Sequence, residues 1–149
     1  MWNDLRRFCE IPQARKRLLG EALLALAVAR VAMACIPFRK IAGWLGTPGA
    51  ATPATATAQE IHIAQEIGWA VEAWARRVPW DSRCLAQALA ATALLRRRGL
   101  EGTVSFGGGR IDGGEFSAHA WLRLGSCMVT GGPGHDRFKI FTTFSRRRP

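Results

Sequence analysis

Two residues of this chain have types and a setting that could do chemistry: Cys84, in "DSRCLAQALAATALLRRRGL" (Asp81–Leu100), and His119, in "FSAHAWLRL" (Phe116–Leu124). A thiol attacks carbonyls as its thiolate, and a free cysteine ionises only near pH ~8.5. Two devices make the thiolate available: the N-terminus of a helix, whose unpaired N–H groups favour an anion, and a neighbouring histidine. Cys84 falls in the first turn of a helix expected from Ser82 to Arg98, with Asp81 or Ser82 as its cap. Gly99 is the natural stop of that helix, with Arg96–Arg98 complementing the dipole in its last turn. Arg83 adds positive charge beside the thiol. Cys84, Ala88, Ala91 and Leu95 share one stripe, whose alanines permit another element to approach closely.

His119 is placed by alternation. Ser117, His119, Trp121 and Arg123 share one face of a strand, and Phe116, Ala118, Ala120 and Leu122 share the other. On a sheet packed against the Cys84 helix, this histidine is expected to reach the thiol. Each residue alone has a plainer reading, a small buried hydrophobe or a structural histidine. The order of helix-borne cysteine, strand histidine and further strand is that of a thiol hydrolase. The remaining candidates lack such a setting. His62 reads as a solvent-edge histidine and His135 as exposed in a glycine-rich turn. Cys35 reads as core, Cys127 as strand packing, and Cys9 as a near-terminal residue.

The four cysteines form no CxxC pair, so no zinc pattern is present. "FGGGRIDGG" does not lead from a strand into a helix and reads as a hairpin, not a phosphate loop. Neither a cofactor nor a metal is expected.

The elements that must position the pair are legible in outline. Residues 13–46 read as a long apolar helix and, after Pro37, a shorter one around Phe38–Leu45. Residues 47–58, "TPGAATPATATA", read as a flexible connector. Residues 59–149 hold a helix with Ile61, Ala64, Ile67, Ala70, Val71 and Trp74 on one face, then the Cys84 helix. Pro79 stops the first of these, and Trp80 is expected to pack under the second. The period then shortens to that of strands in "GTVSFGGG", "FSAHAWLRL", "SCMVTGG" and "FKIFTTF". Helices followed by short strands on tight turns indicate an α+β fold, with an antiparallel sheet packed on helices. At 149 residues, the chain is expected to be a single domain, 1–149, with 1–46 as an N-terminal helical portion and 59–149 as the catalytic core.

Composition narrows the partners. The net charge is +10, with 21 Lys and Arg against 11 Asp and Glu. Such a chain suits acidic peptides or anionic surfaces. Its basic residues lie in short runs (Arg15–Arg17, Arg96–Arg98, Arg146–Arg148) without aromatic interleaving, so no nucleic acid is expected. Leu18–Phe38 is apolar, but Glu21 and Arg30 interrupt it, which favours a buried or partner-facing helix over a membrane span. Basic residues at both ends leave a peripheral membrane contact open. The first residues show no secretory signal, and the chain is read as cytoplasmic with reduced thiols.

"PWDSRCLAQALAATALLRRRGL", followed by "FSAHAWLRLGSCMVTGG" and "FTTF", resembles the B protein of lasso peptide biosynthesis, in its B2-type, transglutaminase-like leader-peptidase form. The apolar "LLGEALLALAVARVAMACIPFRKIAGWLG" is similar to the usual beginning of such proteins. The resemblance implies a papain- and transglutaminase-like fold and removal of a leader from a ribosomally made precursor peptide. It maps the catalytic cysteine to Cys84 and the histidine to His119. It further implies a separate leader-recognition protein and a macrolactam-forming cyclase as partners. The family's third group is an Asp about a dozen residues after the histidine, where this chain has Thr130, Gly131 and Gly132. Either a backbone carbonyl or Thr130 orients the imidazole there, or Asp136 reaches back from the following loop, and Asp136 is the favoured third catalytic residue. Asp81 and Asp112 come next. A non-catalytic adaptor and a transglutaminase-like acyl transferase are the alternative functions.

Overall fold

Leu18, Leu19, Ala22, Leu26 and Ala29 recur at helical spacing and all are buried. They form the inner face of α1 (Gln13–Cys35) in the computed structural model, which describes Arg7, residues 9–110 and residues 112–146. The opening residues 1–6 lie outside the described residues, as do Arg147 and Arg148 of the last arginine run. By length and composition alone, α1 could cross a membrane, with a mean hydropathy of 1.9 over its most apolar window. Ile36 is extended ahead of Pro37, as a residue before proline must be to avoid its ring, and this ends α1. The shorter α2 (Phe38–Leu45) follows and buries Ile41 and Leu45.

The segment read as a flexible connector is tied down. Thr47–Pro48 forms β1, paired with Ser145 and Phe144. Beyond it, the Thr52 N–H donates to Thr103 Oγ1 and the two hydroxyls share a hydrogen bond, 2.8 Å in each case, and the carbonyls of Thr52 and Pro53 accept from Arg123. Thr143 Oγ1 donates to the Ala50 carbonyl at 2.8 Å. Small, unpatterned residues read as loose, yet they leave a main chain free to bond with polar groups on the sheet.

Thr57 and Glu60 form a reciprocal capping box that starts α3 (Ala58–Ala75). The buried side of α3 is Ala64, Ile67, Gly68, Ala70 and Val71. Gly68 meets the Val129 carbonyl so closely that a β-carbon there would collide with it. Next comes α4 (Cys84–Arg97), whose last turn passes through Arg98 to Gly99 at φ +71°. Its N-cap residue is Arg83, and neither Asp81 nor Ser82 caps the helix with a side chain. Asp81 Oδ1 instead accepts from the Arg83 N–H at 3.2 Å, and Ser82 is buried. The cap therefore falls one residue later than sequence suggested, because Asp81 closes a turn onto Arg83 before the helix begins.

Strands β2 (Thr103–Arg110), β3 (Phe116–Leu124), β4 (Cys127–Thr130) and β5 (Lys139–Ser145) complete an antiparallel sheet of order β1-β5-β2-β3-β4. Leu122, Leu124, Val104 and Phe144 enter one core with α1, α3 and α4. This is the expected α+β arrangement of helices on an antiparallel sheet. Cys35 is exposed at the end of α1, against the core position expected for it, because the α1 stripe that ends in Cys35 faces away from the body of the fold. Cys127 packs against the core as expected.

Arginines fasten the helices. Arg96 donates to Glu101 and to the carbonyls of Trp44 and Leu45. Arg98 bridges to Glu21 on α1, and Arg15 makes a two-pronged bond to Glu66 on α3. The Arg96–Arg98 run thus does more than complement the helix dipole.

Candidate functional site

Cys84 is the first residue of α4 and is half-buried. The first bond inside the helix runs from the Gln87 N–H to the Arg83 carbonyl, so the N–H groups of Cys84, Leu85 and Ala86 have no partner within it. With no side-chain cap, they remain available to an anion at that end. Gln87, one turn on, donates from Nε2 to the Ser82 carbonyl at 2.8 Å and pins the turn that presents the thiol. Ser82 Oγ and Trp80 Nε1 are sealed from solvent with no hydrogen-bond partner among the described residues.

His119 lies on β3 opposite Gly107 of β2. On its other side β4 pairs only with Leu122–Leu124, so β3 has no neighbour on that edge at His119. Leu122 and Leu124 enter the core with the helices. His119 and Trp121 alternate with these residues along β3. The imidazole is half-buried between the Trp121 ring, at 5.7 Å between centroids, and the Phe138 ring, at 4.9 Å. Gly107 makes room for this stack, because a β-carbon there would sit 2.9 Å from Trp121 and 3.0 Å from Phe138.

The ring's orientation is fixed by one bond, from Nε2 to the Gly131 carbonyl at 2.8 Å. A carbonyl only accepts, so Nε2 carries the proton and Nδ1 holds the free lone pair. Gly131 follows β4 at φ +69°, and a β-carbon there would lie 2.7 Å from the Ala120 carbonyl. Only glycine turns its carbonyl inward at this point without strain. Gly131, Thr130 and Gly132 share a cleft of about 380 Å³ with Gln87, so the first turn of α4 and the support of His119 lie on one hollow. Among the described residues, no hydrogen bond joins the Cys84 thiol to the imidazole. Catalytic pairs are often loose before substrate binds.

Asp136 sits in the short 3-10 turn His135–Arg137, exposed, and among the described residues it makes no hydrogen bond or ion pair. Asp81 bonds Arg83, as described, and Asp112 occupies a hairpin turn at φ +50°. His135 is half-buried, where sequence suggested exposure: it donates from Nδ1 to the Gly132 carbonyl at 2.6 Å and leans on Trp121. His62 is exposed on α3. Burial pushes the Cys127 thiol above its ordinary range, the opposite of what a nucleophile needs. No cluster of three or more metal-ligating side chains occurs among the described residues.

A family model described as the transglutaminase-like superfamily matches residues 23–143, most of the chain. The chain belongs to the transglutaminase-like superfamily. No curated protein and no solved structure matches it. The superfamily typically works through a cysteine and includes peptidases and acyltransferases. Within this transglutaminase-like chain, sequence reasoning did not single out Gln87, Phe138 or Gly107 as parts of the site. The signal available for Gly107 was a run of three glycines opposite the His119 strand.

Proposed function

We propose that this transglutaminase-like chain is a cysteine peptidase that removes the leader from a lasso-peptide precursor in the cytoplasm. In this reading it works with a separate leader-recognition protein, and the macrolactam-forming cyclase takes up the freed amine. The observation that carries the reading is the Gly131 carbonyl on His119 Nε2, which reserves Nδ1 for a proton from a thiol.

His119 Nδ1 takes the Cys84 proton, and the thiolate attacks the scissile carbonyl. The tetrahedral oxyanion is met by the Cys84 N–H at the uncapped start of α4. The imidazolium then protonates the departing amine, and water releases the acyl group from Cys84. A thiol needs less activation than a hydroxyl, so a neutral orienting group serves in place of a carboxylate. We assign that role to Gly131 ahead of Asp136.

The test combines precursor, recognition protein and the chain, with products read by mass spectrometry. Cleavage with wild type and none with Cys84→Ala or His119→Ala is the expected result. Undiminished cleavage by Cys84→Ala overturns the peptidase reading. If an added amine appears in the product in place of water, the chain is an acyl transferase. If neither variant changes the yield of cyclised product, it acts as an adaptor.

A further inference from the structure

Helix α1 carries two apolar stripes. The first is the buried one that holds the core. The second is Leu24, Val28, Val31 and Cys35, at spacings of four, three and four, the repeat of a helix–helix seam. Nothing in the described chain covers it: Leu24 is 67% exposed, Val28 58% and Val31 61%. Leu24 and Val28 form one wall of a groove of about 750 Å³ whose far side is Trp44 of α2 and Leu89 and Ala93 of α4. None of the residues lining this groove belongs to the sheet or to the thiol site. Its rim is basic, with Lys40 and Arg97, neither of which is paired with a carboxylate among the described residues. The one carboxylate on the rim, Glu21, is engaged by Arg98.

We propose that this groove docks an acidic amphipathic helix of a separate protein. The heptad spacing calls for a helix with apolar residues at i, i+3 or i+4, and i+7. The unpaired rim cations call for glutamates or aspartates flanking that seam. Two other occupants fit less well. A flat bilayer satisfies the charge but leaves a concave groove unfilled. A second copy fills the groove, but two-fold pairing brings the basic rims of two chains of charge +10 together. The inference does not depend on the activity of Cys84.

The full chain is titrated into a labelled three-heptad synthetic peptide with leucines at its seam and glutamates at the flanking positions, and anisotropy is read. A lysine-flanked counterpart is run beside it. The glutamate peptide is expected to bind at least about tenfold more tightly than the lysine one, with a gain of helical circular dichroism. Val28→Asp and the pair Lys40→Glu with Arg97→Glu should each weaken binding by about tenfold or more, at unchanged melting temperature. Leu24→Asp repeats the test should Val28→Asp fail to fold. Equal binding of the two peptides, or binding indifferent to Val28→Asp and Leu24→Asp, overturns the proposal. So does sedimentation with phosphatidylglycerol vesicles that the glutamate peptide fails to compete away, which assigns the groove to membrane. A monomer–dimer equilibrium abolished by Val28→Asp, with no peptide binding, assigns it to a second copy.

Discussion

His119 donates its Nε2 hydrogen to the carbonyl of Gly131, 2.8 Å away. A main-chain oxygen on a left-handed glycine takes the place for which the sequence also offered Thr130 and Asp136. It fixes the tautomer without a formal charge.

Gly131→Ala therefore tests the arrangement directly. The added β-carbon meets the Ala120 carbonyl and disfavours the backbone angle that aims the Gly131 oxygen. Turnover of the precursor should fall by roughly 10²-fold, the scale expected for a catalytic group displaced by about an ångström, with KM changed far less. Steady-state cleavage rates alongside a melting curve check this. A variant that folds and cleaves at the wild-type rate removes the carbonyl from its orienting role.

Thiol labelling should sort the cysteines by environment. Cys9 and Cys35 are exposed and should react readily with iodoacetamide at neutral pH. Cys127 should lag, because burial raises its pKa and shrinks its thiolate fraction; its rate should climb only as pH passes above the ordinary thiol range. Loss of activity should follow the alkylation of Cys84 and of no other cysteine. Peptide mapping at several times and pH values reads all of these at once.

Arg96 joins the end of α4 to the end of α2 and to Glu101, and the Arg96–Glu101 side chains are only 12% and 11% exposed. Removing one partner of a buried pair strands the other's charge. Arg96→Ala should cost about 3–5 kcal/mol of folding stability, measured by urea unfolding. The loss should leave the active-site tautomer untouched in whatever fraction stays folded.

The Arg15–Glu66 pair sets an acid dependence. The hydrogen bond from Arg15 holds the Glu66 carboxyl below its usual range. A carboxyl lowered on folding adds stability above its unfolded pKa of about 4.3, and that contribution is lost as pH falls through the lower folded value. Urea midpoints should drop between neutral and acidic pH, and Glu66→Gln should flatten the acid limb of that curve. Arg15 is nearly half exposed, so the effect should also shrink with added salt.

The fold was legible where one pattern ran long enough to be decisive. α1 and α3 declared themselves by helical spacing, and β2 and β3 by strand-like composition and alternation. The α4 stop at Gly99 followed from its chemistry. Two features were hidden and a third was left as one alternative among several for a common reason: they depend on main-chain groups, which sequence does not show. The Ala50–Pro53 segment is held by its carbonyls and N–H groups, the α4 cap slips to Arg83 through a turn closed by Asp81, and His119 is held by an oxygen that every residue type possesses.

The strand order carries a consequence for how the chain is made. β5 is the last strand among the described residues, yet it lies inside the sheet, between β1 and β2. During synthesis the Thr103–Arg110 edge of β2 waits bare until residues 139–145 clear the ribosome and slot in beside it. A nascent chain in that interval displays an unpaired β edge, the kind of surface that recruits other strands. Slow translation between residues 111 and 145 should therefore raise aggregation, and a chaperone that shields strand edges should raise soluble yield.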